Sequence, residues 1–355
     1  MRENADLGQE SASGDEVLFE QRDGVGLITL NRPSALNALT HRMIEALSRK
    51  LSEWEADGSI RFVIIMGEGR AFSAGGDIVG VHKAKRAGRF SPDFFADEYR
   101  LNAHIARFQK PYVALIDGVV MGGGVGVSCH GSHRVMTEKA VFAMPEVAIG
   151  FFPDVGGSYL LSRLGAYGMY LALTGNRIGW GDALRAGIAT HAVDSADLPA
   201  LLAKLIAADD PDEALAGFSK DVPAEGNEAS FHSIERHFSL ASLEDCILSL
   251  ETAAGEGDEF ADEALRTIRT RSPISLHVAF RAVNYGAMLS MDECMRMEFR
   301  ITSRMLKNHD FYEGIRAAVI EKTKDPAWVP ASLEEVDPAA IDAYFAPLQE
   351  GELEL

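Results

Sequence analysis

The sequence is poor in cysteine and holds no long apolar segment. Its three cysteines, Cys129, Cys246 and Cys294, lie far apart, and no CxxC pair occurs. This spacing excludes a disulfide framework and a zinc ribbon, and it is typical of a reducing compartment. No apolar run reaches the roughly 20 residues that a membrane span needs. Residues 1–15 are polar and acidic, unlike a signal or transit peptide, so we expect a disordered leader on a cytoplasmic protein.

Positive charge is also scarce. Lys and Arg number 34 against 53 Asp and Glu, which gives a formal net charge of −19. A surface of that sign repels nucleic acids and anionic membranes, so neither is an expected partner. A small anionic ligand remains possible, because a few cations and backbone amides outweigh the overall field at short range. The 355 residues, 47% of them hydrophobic, suffice for about two domains.

Several familiar ligand-binding and catalytic motifs are missing. No GxGxxG, Walker A or GxSxG sequence occurs. His130 and His133 form an HxxH pair, but no third candidate ligand lies nearby in the sequence. We therefore expect these imidazoles to make ordinary hydrogen bonds, and we predict no metal site.

The first two hundred residues alternate between strand and helix patterns. Two β-branched runs flank a turn at residues 23–24, and apolar runs at Phe62–Met66 and Tyr112–Ile116 are typical of buried strands. From about residue 198 the patterns are helical, without a convincing strand. The sequence thus predicts an α/β core over residues 16–200 and a helical C-terminal region over residues 201–355.

Two glycine-rich loops follow predicted strands. The loop Phe72–Ile78 contains Gly75 and Gly76, and Asp77 is placed to cap the next helix; Gly122–Gly124 precede a short buried helix that we expect to reach Cys129. Glycine lets the backbone approach a ligand and expose its N–H groups. Together the loops suggest a two-amide oxyanion hole. A plain strand-to-helix turn and tight helix–sheet packing are the alternatives.

Two carboxylates lie in one apolar stretch. Glu146 follows a short apolar strand, and Asp154 comes eight positions later. Apolar surroundings raise a carboxyl pKa, which suits acid–base chemistry. From the residues alone, a structural Glu146 and a helix-capping Asp154 are the favoured interpretation.

Five segments, taken in order, resemble the enoyl-CoA hydratase/isomerase (crotonase) superfamily. They are LNRPSALNAL (30–39), AFSAGGDI (71–78), KPYVALIDGVVMGGGVGVS (110–128), FAMPEVAIGFFPDVGG (142–157) and LTGNRI (173–178). The resemblance implies a spiral of ββα units that takes acyl-CoA as substrate. It implies no metal or redox cofactor, since coenzyme A is part of the substrate, and it allows a homo-oligomer such as a trimer or hexamer.

The resemblance also implies roles for the glycine-rich loops. The amides of Gly76 and Gly123 match the oxyanion hole of the superfamily. Ala74, Asp77 and Ile78 lie in the segment that holds the adenine and thioester arm of CoA. Arg32, Arg70 and Lys83 are the candidate cations for the CoA phosphate, because they lie near these segments in the sequence.

The carboxylates separate the activities within the superfamily. Hydratases carry two catalytic glutamates, of which one matches Glu146, while the position of the other is Gly126. Asp154 stands where hydratases have glycine, and Glu98 matches a substrate-binding carboxylate. This set resembles the thioester-hydrolase branch. The segments SPISL (272–276), MEFRI (297–301), HDFYEGIRAAVIEK (309–322) and PAWVPASLEEV (326–336) resemble the C-terminal tail of the same branch.

The expected activity is therefore hydrolysis of a short 3-hydroxyacyl-CoA thioester, with 3-hydroxyisobutyryl-CoA of valine breakdown as the first candidate. Glu146 is then the nucleophile or the base for water, and Asp154 binds the substrate hydroxyl or orients the water. A hydratase or isomerase of the same fold and a non-catalytic acyl-CoA-binding protein are the alternatives.

Overall fold

The computed structural model describes residues 15–88 and 92–355. The leader predicted for residues 1–15 therefore lies, apart from Asp15, outside the described residues. No described helix is long and apolar enough to cross a membrane.

The strands of the described residues form two sheets. In chain order they are β1 (Val17–Arg22), β2 (Val25–Leu30), β3 (Phe62–Gly67), β4 (Ala71–Ser73), β5 (Tyr112–Ile116), β6 (Val119–Met121), β7 (His133–Met136), β8 (Val141–Ala143) and β9 (His191–Ala192). The large sheet has the order β1-β2-β3-β5-β7-β9. It is antiparallel between β1 and β2, which confirms the predicted hairpin, and parallel elsewhere. The small sheet, β4-β6-β8, is parallel throughout.

Helices connect these strands and make up most of the C-terminal region. They are α1 (His41–Ala56), α2 (Ile78–Arg86), α3 (Asp93–Ala106), α4 (Gly123–Gly126), α5 (Gly157–Ser162), α6 (Ala166–Thr174), α7 (Trp180–Ala186), α8 (Leu198–Ala207), α9 (Pro211–Leu215), α10 (Glu228–Phe238), α11 (Leu243–Gly255), α12 (Glu259–Ile268), α13 (Pro273–Gly286), α14 (Met291–Met305), α15 (His309–Ile315) and α16 (Pro338–Phe345). No strand of the described residues follows β9, as the sequence predicts.

Three consecutive strand pairs build a spiral. In the pairs β3–β4, β5–β6 and β7–β8, the first strand joins the large sheet, the second joins the small sheet, and a helical segment follows. This repetition is the predicted ββα spiral. Its consequence is that the chain leaves β4, β6 and β8 at the same edge of the small sheet, because those strands are parallel neighbours.

The large sheet is buried on both faces. Ile64 of β3 and the apolar residues on the same face of the sheet form a buried cluster with Leu201 and Leu205 of α8. Val63 and Ile65 point the opposite way, into the main apolar core, because successive residues of a strand face opposite sides. Burial on both faces accounts for the unbroken apolar runs that mark these strands in the sequence.

The C-terminal helices share the main core with the α/β part. Residues of α13, α14 and α16 belong to the same buried apolar cluster as β2, α1 and α3, and α14 packs along α3. The domain boundary drawn at residue 200 stays a prediction. The packing means that side chains of the C-terminal region reach the loops that follow the small sheet.

Candidate active site

Three predicted functional segments begin where the strands of the small sheet end. Gly76 lies three residues after β4, Gly123 two residues after β6, and Glu146 three residues after β8. The parallel order of these strands brings the three segments together. Residues spread over seventy positions of the sequence thus meet at one edge of a sheet.

The loop after β4 leaves the amide of Gly76 unpaired. Leu39 N–H donates to the carbonyl of Gly75 (2.8 Å), and Asp77 N–H donates to the carbonyl of Leu39 (2.9 Å). These two bonds fix the backbone on either side of Gly76. Among residues 15–88 and 92–355, no hydrogen bond takes up the Gly76 N–H itself. Gly75 needs to be glycine, because its φ is +109°.

A second free amide lies beside the first. Gly123 is the first residue of α4, where a helix has no internal acceptor for the N–H group. The nitrogen of Gly76 lies 3.2 Å from the point where a Cβ on Gly123 would stand, so the two glycines are in close contact. The helix is a single turn and ends at Gly126, short of the predicted end at Cys129. Two neighbouring amides without acceptors are what an oxyanion hole requires.

The other predicted binding residues of the loop after β4 flank Gly76. Ala74, Asp77 and Ile78 are half-buried. The Asp77 carboxylate caps α2 by accepting from Gly80 N–H (2.9 Å), as predicted, and it pairs with Arg32 at 3.4 Å. Arg32 also pairs with Glu16 at 2.9 Å.

Glu146 is buried beside the glycines with one oxygen free. Its side chain belongs to a residue that is 6% exposed, and its Oε2 has no hydrogen-bond partner within the described chain. Its Oε1 lies 3.0 Å from the point where a Cβ on Gly122 would stand. Burial, together with the nearby Asp154 carboxylate, raises the pKa of Glu146 well above its usual value. Such a carboxylate, once ionised, is a strong base or nucleophile through its unpaired Oε2.

Glu98 approaches the same glycines from α3. Its Oε1, also without a partner in the described chain, lies 2.5 Å from the point where a Cβ on Gly123 would stand. Burial and the Asp154 carboxylate raise the pKa of Glu98 well above its usual value. Gly123 must therefore lack a side chain for Glu98 to reach the free amides.

Asp154 is held by a relay of two hydroxyl groups. The Tyr99 hydroxyl donates to Asp154 Oδ2 at 2.7 Å, and Thr302 Oγ1 lies 2.7 Å from the Tyr99 hydroxyl oxygen. Because Tyr99 has a single hydroxyl proton, Thr302 donates to Tyr99. Burial raises the pKa of Asp154 to about 7, and the hydrogen bond from Tyr99 opposes that rise. Asp154 does not cap α5, which begins at Gly157 without a side-chain cap.

The residue after Asp154 is strained. Val155 has φ of +51°, a conformation that β-branched residues seldom adopt. Its carbonyl accepts a hydrogen bond from His130 Nε2 at 2.7 Å. Burial lowers the pKa of His130 to about 4, so the ring is neutral and carries its proton on Nε2. The other histidine of the HxxH pair, His133, contacts Ser132 and Asp212.

Glu298 joins this site from α14, and sequence reasoning did not identify it. Its carboxylate accepts from Gly156 N–H (2.8 Å) and Ser158 N–H (3.0 Å), and it also accepts from the Ser158 hydroxyl. Burial raises its pKa to about 8, although the Ser158 hydroxyl and the backbone donors oppose that rise. Only its place in the segment MEFRI, on the buried side of an amphipathic pattern, could have drawn attention to it. Four carboxyl groups thus surround the site: Glu98, Glu146, Asp154 and Glu298.

Gly126 has no room for a side chain. A Cβ at this position would stand 2.7 Å from Asn102 Nδ2 and 2.8 Å from Val155 Cβ. Contacts under 3.0 Å force the neighbours to shift. A second catalytic glutamate at this position would therefore require Asn102 and Val155 to move.

One group of potential metal ligands occurs in the described chain, and it includes none of these four carboxylates. His41, Glu45 and Asp97 bring one donor atom each within 4.8 Å of one another. Asp97 is already paired with His41 and with Arg100, both at 2.8 Å. The Arg100 guanidinium supplies the positive charge that a metal would bring, so we assign no metal to this group.

Curated relatives share almost the full length of the chain. 3-hydroxyisobutyryl-CoA hydrolase of Gallus gallus is 44% identical over 97% of this chain and 92% of its own, and the Homo sapiens enzyme is 42% identical over 98% and 92%. Both are named as mitochondrial, as are the enzymes from Xenopus tropicalis and Rattus norvegicus. The expected cytoplasmic location is therefore wrong, since these relatives point to mitochondria.

Solved structures share the fold at similar identity. A protein described as carnitinyl-CoA dehydratase from Mycobacterium thermoresistibile superposes with a TM-score of 0.90 at 43% identity, covering 96% of this chain and 99% of that one. A protein described as enoyl-CoA hydratase from Rhodobacter sphaeroides gives 0.88 at 39% identity, covering 96% and 100%. Residues 25–345 match the family described as enoyl-CoA hydratase/isomerase. With the ββα spiral and the paired glycine amides, these matches show that the chain belongs to the enoyl-CoA hydratase/isomerase family, with the crotonase fold.

Proposed function

We propose that this protein hydrolyses short 3-hydroxyacyl-CoA thioesters, with 3-hydroxyisobutyryl-CoA, an intermediate of valine breakdown, as its substrate. The observation that carries the proposal is the pairing of a buried carboxylate with two free amides. Glu146 has an unused oxygen, and the N–H groups of Gly76 and Gly123 have no acceptor within the described chain. The names of the curated relatives at 42–45% identity support the same substrate.

The two amides bind the thioester oxygen. As the carbonyl carbon is attacked, its oxygen gains negative charge and shortens its hydrogen bonds to Gly76 and Gly123. The Leu39 bonds on either side of Gly76 hold that amide in place before the substrate arrives. Donors that need no rearrangement stabilise the transition state more than the ground state, which is how they accelerate the step.

Glu146 opens the thioester in one of two ways. As a nucleophile, its ionised carboxylate bonds to the acyl carbon, the C–S bond breaks, CoA leaves as the thiolate, and water then hydrolyses the mixed anhydride. As a base, it removes a proton from water while the water oxygen attacks the same carbon, and the C–S bond again breaks with CoA leaving as the thiolate. Either route requires the ionised form, and the raised pKa of Glu146 increases its basicity in that form.

Asp154 orients the water or the acyl group. The hydrogen bond that Tyr99 donates to Oδ2 fixes the orientation of the Asp154 carboxyl group. A pKa of about 7 lets Asp154 exchange a proton near neutral pH, which suits protonation of the departing thiolate. Glu98, placed beside Gly123, contacts the acyl end of the substrate in this arrangement.

Hydration of an enoyl-CoA is the second candidate, because two similar solved structures are described as a dehydratase and a hydratase. That reaction adds a hydroxide and a proton to adjacent carbons, and hydratases use two glutamates for it. The place of the second is Gly126, which Asn102 and Val155 crowd too closely for a side chain. The geometry therefore favours hydrolysis.

One experiment separates the candidates. Thiol release is measured with 3-hydroxyisobutyryl-CoA, and loss of enoyl absorbance is measured with crotonyl-CoA. We expect rapid thiol release and negligible hydration; the reverse result would assign a hydratase, and neither signal would indicate a binding protein. Glu146→Gln should reduce thiol release by about 10²- to 10⁴-fold while CoA still binds. The exposed Glu53→Gln serves as the matched control.

A further inference from the structure

Asn102 carries an unused amide in the interior. The residue is fully buried, and neither Nδ2 nor Oδ1 has a hydrogen-bond partner within the described chain. An unpaired buried amide is costly, so such groups are normally satisfied by protein, water or ligand. The proposed reaction assigns no role to it. Its donor and its acceptor are therefore available to a bound molecule.

The position of Asn102 follows from the way α3 faces α4. Glu98 and Asn102 are four residues apart on α3 and lie on the same face. Their partners on α4 are three residues apart: Glu98 Oε1 approaches Gly123, and Asn102 Nδ2 approaches Gly126. The two glycines thus make room for two polar side chains. Glu98 lies beside the free amide of Gly123, and Asn102 lies one helical turn further along α4.

Val155 is the other residue close to Gly126, and it places Asn102 near the loop that carries Asp154. The point where a Gly126 Cβ would stand is 2.7 Å from Asn102 Nδ2 and 2.8 Å from Val155 Cβ. Val155 directly follows Asp154. Asn102 therefore lies between the last residue of α4 and the residue that follows Asp154.

The chemistry of the amide selects its ligand. A primary amide offers one donor group and one acceptor, and it has no charge. A hydroxyl group has the same pair of functions, so the two match reciprocally. In a 3-hydroxyacyl thioester the carbonyl oxygen is taken by Gly76 and Gly123, which leaves the 3-hydroxyl as the other polar group of the acyl part. A neutral partner also adds no charge to a site that already has four carboxyl groups.

We propose that Asn102 binds the 3-hydroxyl group of the acyl chain and so sets the preference for hydroxyacyl over plain acyl thioesters. The inference rests on the proposed function and adds a specificity-determining residue to it. Asp154 is then free to act on water. A site built to bind a hydroxyl discriminates against analogues that lack it, because its own polar group is left unpaired.

The test compares two substrates that differ only in that hydroxyl, 3-hydroxyisobutyryl-CoA and isobutyryl-CoA. Asn102→Leu keeps most of the volume and removes both polar functions, and Asn102→Ala leaves space for water. We expect kcat/KM for the hydroxyacyl substrate to fall by roughly 10- to 100-fold in both variants, while that for isobutyryl-CoA stays level or rises. Ser128→Ala, which alters a buried hydroxyl bonded to the Gly124 carbonyl at 2.6 Å, is the packing control.

Equal losses with both substrates would overturn the inference, because they would place Asn102 on the water or in the scaffold. Binding of the same two thioesters is also measured in the Glu146→Gln background, where the substrate is consumed far more slowly. There Asn102→Leu should weaken only the hydroxyacyl ligand, and an unchanged preference would overturn the inference. A wild-type protein that releases no thiol would contradict the proposed function, while the binding preference would still decide the role of Asn102. Thermal melting confirms that each variant is folded.

Discussion

The Glu298 carboxylate accepts a hydrogen bond from the backbone N–H of Gly156 at 2.8 Å, across 142 positions of the sequence. It also accepts from Ser158 N–H at 3.0 Å. The turn that follows Asp154 is thus fastened to a helix of the C-terminal region. Because Thr302 of the same helix supports Tyr99, α14 holds Asp154 from two directions.

Glu298→Gln should weaken both the fold and the reaction. The substitution puts an amide donor opposite one of the donating groups, so a buried N–H loses its acceptor at a cost of about 1–3 kcal/mol. We expect lower thermal stability, and a lower kcat because the Asp154 loop is less well held. Asp292→Asn on the same helix breaks only an exposed ion pair with Arg107 and should change stability by less than about 1 kcal/mol. Equal behaviour of the two variants would contradict this role of Glu298.

Asp154→Asn should change the pH dependence of stability. Asp154 has a pKa of about 7 in the folded protein against an ordinary value of 3.8. The folded state therefore keeps a proton that the unfolded chain releases, and this contribution is present below pH 3.8 and lost as pH rises through about 7. Relative to wild type, the unfolding free energy of the variant should increase from about pH 5 to about pH 8. Denaturant titrations at both pH values measure it, and a constant difference would contradict the prediction.

Gly76→Pro tests the first amide of the oxyanion hole. Proline removes an N–H group that no residue of the described chain uses, so the fold should survive while kcat falls by about 10²- to 10³-fold. Gly76→Ala keeps the N–H, and its Cβ would stand 3.3 Å from Phe94 Cζ at the tip of a ring. The alanine variant should retain most of its activity. Steady-state kinetics on both folded proteins would show whether the amide, rather than the shape of the loop, is required.

Gly126→Ala should destabilise the protein without creating hydratase activity. The new methyl group would overlap Asn102 and Val155, and overpacking of this kind costs about 1–3 kcal/mol. Gly58→Ala is the matched control, because no atom lies within 4 Å of its new methyl group. The melting temperatures of the two variants test the prediction. A Gly126→Ala protein as stable as the Gly58→Ala control would contradict it, because Asn102 and Val155 would then move aside at little cost.

Local patterns in the sequence predict much of the fold. The hairpin around residues 23–24 and the buried strands at Phe62 and Tyr112 follow from alternation, apolar runs and turn residues, all of which are local in sequence. The glycine loops and Glu146 were also visible, because unusual glycine clusters and an isolated acid in an apolar run stand out locally. That the glycine loops and Glu146 lie together became clear only from the strand order β4-β6-β8 of the small sheet.

The distant groups that complete the site become apparent only when the helices and sheets are packed together. The bonds of Glu298 to the Asp154 loop, the Tyr99–Thr302 relay and the fit of Asn102 against Gly126 join residues from 24 to 203 positions apart. Such contacts leave no periodic signal, since Glu298 and Thr302 fit the buried face of an amphipathic helix as well as any core residue does. Sequence determines which segments form helices and strands through local propensity and apolar spacing, whereas the pairing of buried polar groups is fixed only when those segments pack.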